Sequence, residues 1–425
     1  MIKLKTPFKL LAGLLCTFGV AVIALTWYLG SGISLGERHA AFDKALFSRE
    51  FLNKGTFDYE GEDFQAYINY SRELMLKARV KPVTETELDN LSPFILHPPA
   101  SCPLTSDGKY QKGVALTHGL VASPYSMRSI AEFFQQECFF VVSLLLPGHG
   151  TRPGDMLNSS WEEWVQAQHF ATQYVSNHAE QLWLSGHSAG GTLAIYEAAT
   201  NKQVDGLVLF APALGITPSS RFAGAVSLLG HLYKPAAWLE VEPDNSVYRY
   251  ESFPYYAGAQ TWELIQATWR ALEKNPLSIP AFTVASTEDM TVSTQAIMEF
   301  MNNQSAVSHT LLFSQSPQSS QEPDEKVTIV ESGLPERNIL SLSHLGLMTP
   351  PDHPYYGEQG NYHYCEYLYD AALAVFNSCL NGESDYLGET TEENLQKGSL
   401  ERIAFNPHYE TMTELLTEFL KEFLQ

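Results

Sequence analysis

Cysteine, basic side chains and charge of either sign are all scarce in this sequence. Only 5 of 425 residues are cysteine, 17% are charged, and 26 Lys and Arg stand against 48 Asp and Glu, a formal net charge of −22. The shortage of cations argues against a nucleic-acid partner, since that affinity is built on Lys and Arg neutralising phosphates. No C-x-x-C pair or His/Cys cluster is present, so no metal is expected. Biased composition is confined to QSPQSSQEPDE at 315–325, which reads as a surface loop. Apolar residues, by contrast, make up 44% and aromatics 12%, enough for a sizeable core and incompatible with a disordered chain.

One long apolar run stands out. Leu10 to Leu29 carry no charge, follow Lys3, Lys5 and Lys9, and end at Trp27 and Tyr28. At ~1.5 Å per residue such a run spans about 30 Å, the thickness of a bilayer core. It predicts a cytoplasmic tip and transmembrane anchor over 1–30, with the rest of the chain on the exported side, periplasmic or extracellular. A cleaved signal peptide is the rival, although its apolar region normally runs only about 7 to 15 residues. Cys16 falls in the run. Cys102, Cys138, Cys365 and Cys379 then allow two disulfides in three connectivities. If Tyr364–Cys379 were one helix, Cys365 and Cys379 would lie about 21 Å apart, beyond the reach of a bridge. Either that helix breaks or each cysteine pairs elsewhere.

Residues 31–110 read as a stalk and N-terminal extension, with one helical pattern near Glu62 to Val80 and a Pro-rich end, LSPFILHPPASCP, that disfavours regular structure. From 111 to 425 short apolar runs alternate with amphipathic stretches, which predicts an α/β fold with a mostly parallel sheet covered on both faces. Ser160 and Glu163 form a capping box at the start of one of these helices. The strand rhythm pauses over 213–278, an expected cap with helical stretches at 221–241 and 261–274 around the aromatic run YRYESFPYYAG. An aromatic run of this kind is more often core than pocket. A second insertion covers 350–405, in which Cys365, Tyr362 and Tyr364 read most simply as structural, and a last helix closes the chain.

Chemistry concentrates at Gly186-His187-Ser188-Ala189-Gly190, a G-x-S-x-G between an apolar run and a helical one. Small residues beside the serine permit a sharp strand-to-helix turn that projects its hydroxyl at a helix N-terminus. A serine nucleophile needs a base, an acid and oxyanion donors, in the chain order donors, nucleophile, acid, histidine. Leu120 follows the strand VALTHG and offers a backbone amide beside that of Ala189. Asp289 follows a later strand and His344 lies in a loop later still, so that Ser188, Asp289 and His344 are the expected catalytic residues. Glu288 is the alternative acid. His118 and His149 precede the serine and read as loop-shaping residues.

Together THG, LPGHGT, GHSAG, the strand-end Asp289 and SHLGL resemble the α/β-hydrolase superfamily, near its monoacylglycerol lipase-like and carboxylesterase-like members. The resemblance covers roughly residues 110–350 and the final helix. It implies an eight-stranded, mostly parallel sheet, a cap inserted after the sixth strand, no cofactor, and hydrolysis of lipid or other small-molecule carboxylic esters through an acyl-enzyme. The anchor and the 350–405 insertion depart from the family pattern. Two other outcomes fit the same residues: an acyltransferase using the same acyl-enzyme, and a non-catalytic ectodomain that only binds a partner.

Overall fold

The structure is a computed structural model that describes residues 57–423 apart from 62, 217–233, 243, 304–306, 317–324 and 369–372. The apolar run at 10–29, and Cys16 within it, lie outside the described residues; among the described residues no helix is long and apolar enough to cross a membrane. The extension begins with α1 (Phe64–Ala78), capped by the Asp63 side chain, and α2 (Glu85–Leu91), closed by a Thr84/Glu87 capping box. Phe57, Phe64 and Tyr67 meet Phe170 of the main domain, so this segment is joined to the body by an aromatic cluster. The Pro-rich end contains β1 (Phe94–Leu96). Its prolines, Pro93 and Pro98, fall just outside the three paired residues and remove no donor from the ladder.

The domain then alternates: β2 (Tyr110–Thr117), α3 (Arg128–Gln136), β3 (Phe139–Leu144), α4 (Trp161–His178), β4 (Ala179–His187), α5 (Ala189–Thr200) and β5 (Gly206–Phe210). After the cap region come β6 (Trp238–Glu240), β7 (Phe253–Pro254), α6 (Tyr255–Lys274), β8 (Ala281–Ser286), α7 (Thr294–Asn302), β9 (Ser308–Ser314) and β10 (Val327–Glu331). Eight of these strands form one sheet in the order β1-β3-β2-β4-β5-β8-β9-β10. Every pairing is parallel except β1 with β3 at the edge. Central strands β3, β5 and β8 are buried at every residue, as continuous apolar runs between two helical layers require. The Ser160/Glu163 capping box at α4 is present as expected.

Two expectations change. The helix expected at 261–274 is α6, which starts earlier at Tyr255 and packs on α4 and α5, making it part of the layer that covers the sheet rather than of the cap. The described end of the expected 221–241 helix, Trp238–Glu240, is a strand paired with β7. The cap follows β5, the strand after the one that leads into the elbow. As for the cysteines, the helix breaks: a turn at Glu366–Leu368 precedes α8 (Leu373–Leu380), which brings Cys365 and Cys379 into a disulfide with Cα atoms 6.0 Å apart. Cys102 and Cys138 form the other bridge, at 5.6 Å. The insertion continues through β11 (Tyr386–Gly388), α9 (Glu392–Leu395) and β12 (Leu400–Arg402), where β11 and β12 pair in parallel, and α10 (Tyr409–Phe423) ends the described chain.

Candidate active site

Between β4 and α5 the chain turns at Ser188, whose backbone sits at φ 54°, ψ −120°, a strained conformation for a residue with a Cβ. The turn survives because the residues two before and two after the serine have no side chains. A Cβ on Gly186 would lie 2.3 Å from the Gly190 carbonyl carbon, and one on Gly190 would lie 2.1 Å from the Thr117 carbonyl oxygen. The Ser188 amide donates to the Phe210 carbonyl at 3.0 Å, and the Ser188 carbonyl accepts from Ala213, so the strained residue is held from both sides. Ala189 is the first residue of α5, and its amide points out of the helix N-terminus.

Opposite the elbow, the loop after β2 is moulded by the two early histidines. His118 Nδ1 donates to the Gly119 carbonyl and its Nε2 accepts from the Leu146 amide; His149 Nε2 accepts from the Val121 amide at 3.1 Å and its Nδ1 donates to the Pro147 carbonyl. These bonds hold Val121 at φ 61°, an outlier for a β-branched residue. Burial pushes the His149 imidazole down to about 4 and His118 well below its ordinary value, so both remain neutral acceptors. Among the described residues neither the Leu120 nor the Ala189 amide has a hydrogen-bond partner.

His344 and Asp289 meet across 55 residues of sequence: His344 Nδ1 donates to Asp289 Oδ2 at 2.6 Å, with both side chains almost fully buried. Burial by itself would raise the Asp289 carboxyl; the charge and hydrogen bond of His344, with amides from Val292 and Thr291, outweigh it and hold the group below its ordinary value. Glu288 instead accepts from Thr287 and from the Gln315 amide, which leaves Asp289 as the partner of the histidine. The 55-residue gap contains β9, the Ser/Gln/Pro-rich segment and β10. His187 Nε2 donates to the His344 carbonyl at 3.0 Å, and burial together with the charge of His344 depresses its imidazole to about 3. The Ser188 hydroxyl makes no hydrogen bond to His344 in this state; such contacts tighten when substrate binds.

Ser188, His344, Leu120 and Ala189 all border one cavity of ≈ 710 Å³. Ile216, Leu239, Phe253, Met290 and Val292 give it apolar wall, while Arg249, Glu251, Tyr362, Tyr364 and Arg402 give it polar wall. Tyr362 and Tyr364, expected to be merely structural, therefore reach the site through the 350–405 insertion. Within the aromatic run of the cap, Tyr248 and Tyr250 are buried as core, whereas the alternate residues Arg249, Glu251 and Phe253 border the cavity.

The profile of the serine aminopeptidase, S33 family matches residues 108–315, which includes the elbow and Asp289. The thermostable monoacylglycerol lipase of Bacillus sp. (strain H-257) is 29% identical over 181 residues, covering 42% of this chain and 71% of that enzyme. The chain is an α/β-hydrolase of the lipase and esterase type. Among solved structures, this hydrolase is similar to the Paleococcus ferrophilus monoacylglycerol lipase, with 20% identity, a TM-score of 0.41, and coverage of 52% of this chain and 88% of the other. The carboxyl esterase of Bacillus coagulans bound to glycerol shows 16% identity and a TM-score of 0.39, covering 52% and 85%. The family match to the hydrolase ends before His344 and before the whole 350–405 insertion, the segment that supplies much of the polar wall.

Proposed function

We propose that the protein is a membrane-anchored serine hydrolase that cleaves lipid-like carboxylic esters on the exported side of the membrane. His344 takes the proton of Ser188 as the hydroxyl attacks the ester carbonyl, and Asp289 holds the imidazole in the right tautomer and stabilises the imidazolium. The amides of Leu120 and Ala189 receive the developing oxyanion. The imidazolium then protonates the departing alcohol, and water, activated by the same histidine, releases the acid. The observation that carries this mechanism is the buried 2.6 Å bond between His344 and Asp289 beside a strained Ser188 on one cavity. A cavity of this size with both apolar and polar walls suits an amphiphile such as a monoacylglycerol or lysophospholipid. The Bacillus relative's name supports that class.

The test is fluorophosphonate labelling with peptide mapping, beside hydrolysis of p-nitrophenyl esters of graded chain length. Labelling at Ser188, with a loss of order 10⁴ to 10⁶ in kcat in Ser188→Ala, is the expected result. More than a tenth of wild-type rate in that variant would remove Ser188 from the mechanism. Suppression of free acid by an added alcohol would instead identify an acyltransferase.

A further inference from the structure

The loop that carries His344 leans on the 350–405 insertion along its whole length. The Leu340 amide donates to the Leu387 carbonyl at 2.8 Å, Ser341 Oγ accepts from the Glu389 amide at 3.0 Å, and Ser343 Oγ donates to the Ile403 carbonyl. At the centre is a pair of opposite charges. Glu389, fully buried, accepts the His344 backbone amide on Oε2 at 3.1 Å, and the guanidinium of Arg402 reaches both of its oxygens at 2.7 and 2.8 Å. The same guanidinium donates to Thr291 Oγ1 at 2.7 Å, and the Thr291 amide donates to Asp289 Oδ1 at 2.7 Å. One ion pair thus touches the backbone of the base and the turn that orients the acid.

From this geometry we infer that Glu389 and Arg402 are positioning residues of the hydrolase, a brace supplied by the insertion that sets His344 and Asp289 in register with each other. The inference rests on the roles proposed above for Ser188, Asp289 and His344. Its physical basis is the steep dependence of rate on alignment, where a displacement of ~1 Å costs about 10²-fold. Arg402 also borders the substrate cavity and lies 5.3 Å from the centre of the Tyr364 ring, so the brace and the polar wall are one structure.

Removing one member strands a buried charge and threatens folding, so the informative variant removes both: Glu389→Met with Arg402→Met. Steady-state hydrolysis of p-nitrophenyl butyrate by the full chain is measured with and without Asp289→Asn, alongside a thermal melt. The double variant is expected to fold, to lose about 10- to 100-fold in kcat with KM changed less than about threefold, and to lose clearly less in the Asp289→Asn background, because part of the brace acts through that residue. Arg402→Lys, which keeps the charge, is expected to recover part of kcat. A folded double variant with wild-type kcat overturns the inference, as does a loss of equal size with and without Asp289. If Asp289→Asn alone keeps full activity, it is the triad assignment that fails, a result readable without either brace variant.

Discussion

Gly190→Ala tests the elbow with a single methyl group. That Cβ would sit 2.1 Å from the Thr117 carbonyl oxygen and 2.5 Å from that of His118, about 1.3 and 0.9 Å short of ordinary contact at 3.4 Å. Both obstacles are backbone, in and directly after a central strand paired on both sides, so they have no rotamer to yield with. The relief available is for the start of α5 to move away from β2 by about 1 Å. This shift carries Ser188 and the Ala189 amide away from the loop that presents Leu120. A displacement of that size is worth about 10² in rate, and overpacking of this kind costs about 1–3 kcal/mol in stability. The expected result is therefore a protein that still folds, melts lower, and has lost at least about 100-fold in kcat/KM for p-nitrophenyl butyrate, with slowed fluorophosphonate labelling. A useful contrast is Gly258→Ala, inside α6 at ordinary φ, where the new Cβ meets only the Phe253 ring at 3.4 Å; there the helix should gain about 0.5–1 kcal/mol. A Gly190→Ala enzyme within threefold of wild type and with an unchanged melt would refute the argument that close backbone approach dictates glycine at this position.

The buried histidines predict the acid limb of stability. His118, His149 and His187 stay neutral in the folded protein down to about pH 4 or below, whereas in the unfolded chain each takes up a proton near ~6.5. Below ~6.5 the unfolded state binds more protons, so each histidine removes about 1.4 kcal/mol per pH unit as pH falls towards 4. Thermal midpoints measured from pH 7.5 to 5 should fall steadily, and a flat profile would show that these rings titrate in the fold. Replacing Cys365 and Cys379 by alanine opens a 14-residue separation and should cost about 3 kcal/mol in the chain-entropy picture, read from denaturant melts. Because Tyr364 and Tyr367 flank Cys365 on the cavity wall, KM for long-chain esters should rise more than kcat falls; an unchanged KM would separate the bridge from substrate binding.

Much of the catalytic geometry was legible because it is written in local signals. The elbow needs glycine at fixed offsets from a serine between a strand and a helix, and Gly186 and Gly190 supply them where backbone meets backbone. The order of Asp289 and His344 follows from strand ends, which apolar runs mark well. Other features depend on contacts between distant segments, and no periodicity announces those. Glu389 and Arg402 sit in a short polar stretch that resembles any solvated loop, yet their partners lie at Thr291 and His344. Tyr362 and Tyr364 looked structural for the same reason. Other misses had a readable cue: Thr84 and Glu87 form the capping box of α2, and Phe94–Leu96 is an apolar triplet bounded by prolines that lie outside it. The cap boundary was misplaced because α6 is amphipathic wherever it packs, and its pattern alone does not say whether its buried face meets α5 or a substrate.

The spread of the site along the chain has a consequence for synthesis. In the proposed mechanism the nucleophile emerges at residue 188, its base at 344 and the brace beneath that base only at 389 and 402. At ~5–20 residues per second, about 10 to 40 seconds separate the serine from the arginine. Through that interval the acid, the base and the pocket wall reach the serine one after another. If these roles hold, full hydrolytic competence comes late in synthesis, and a product truncated before residue 344 lacks the base altogether.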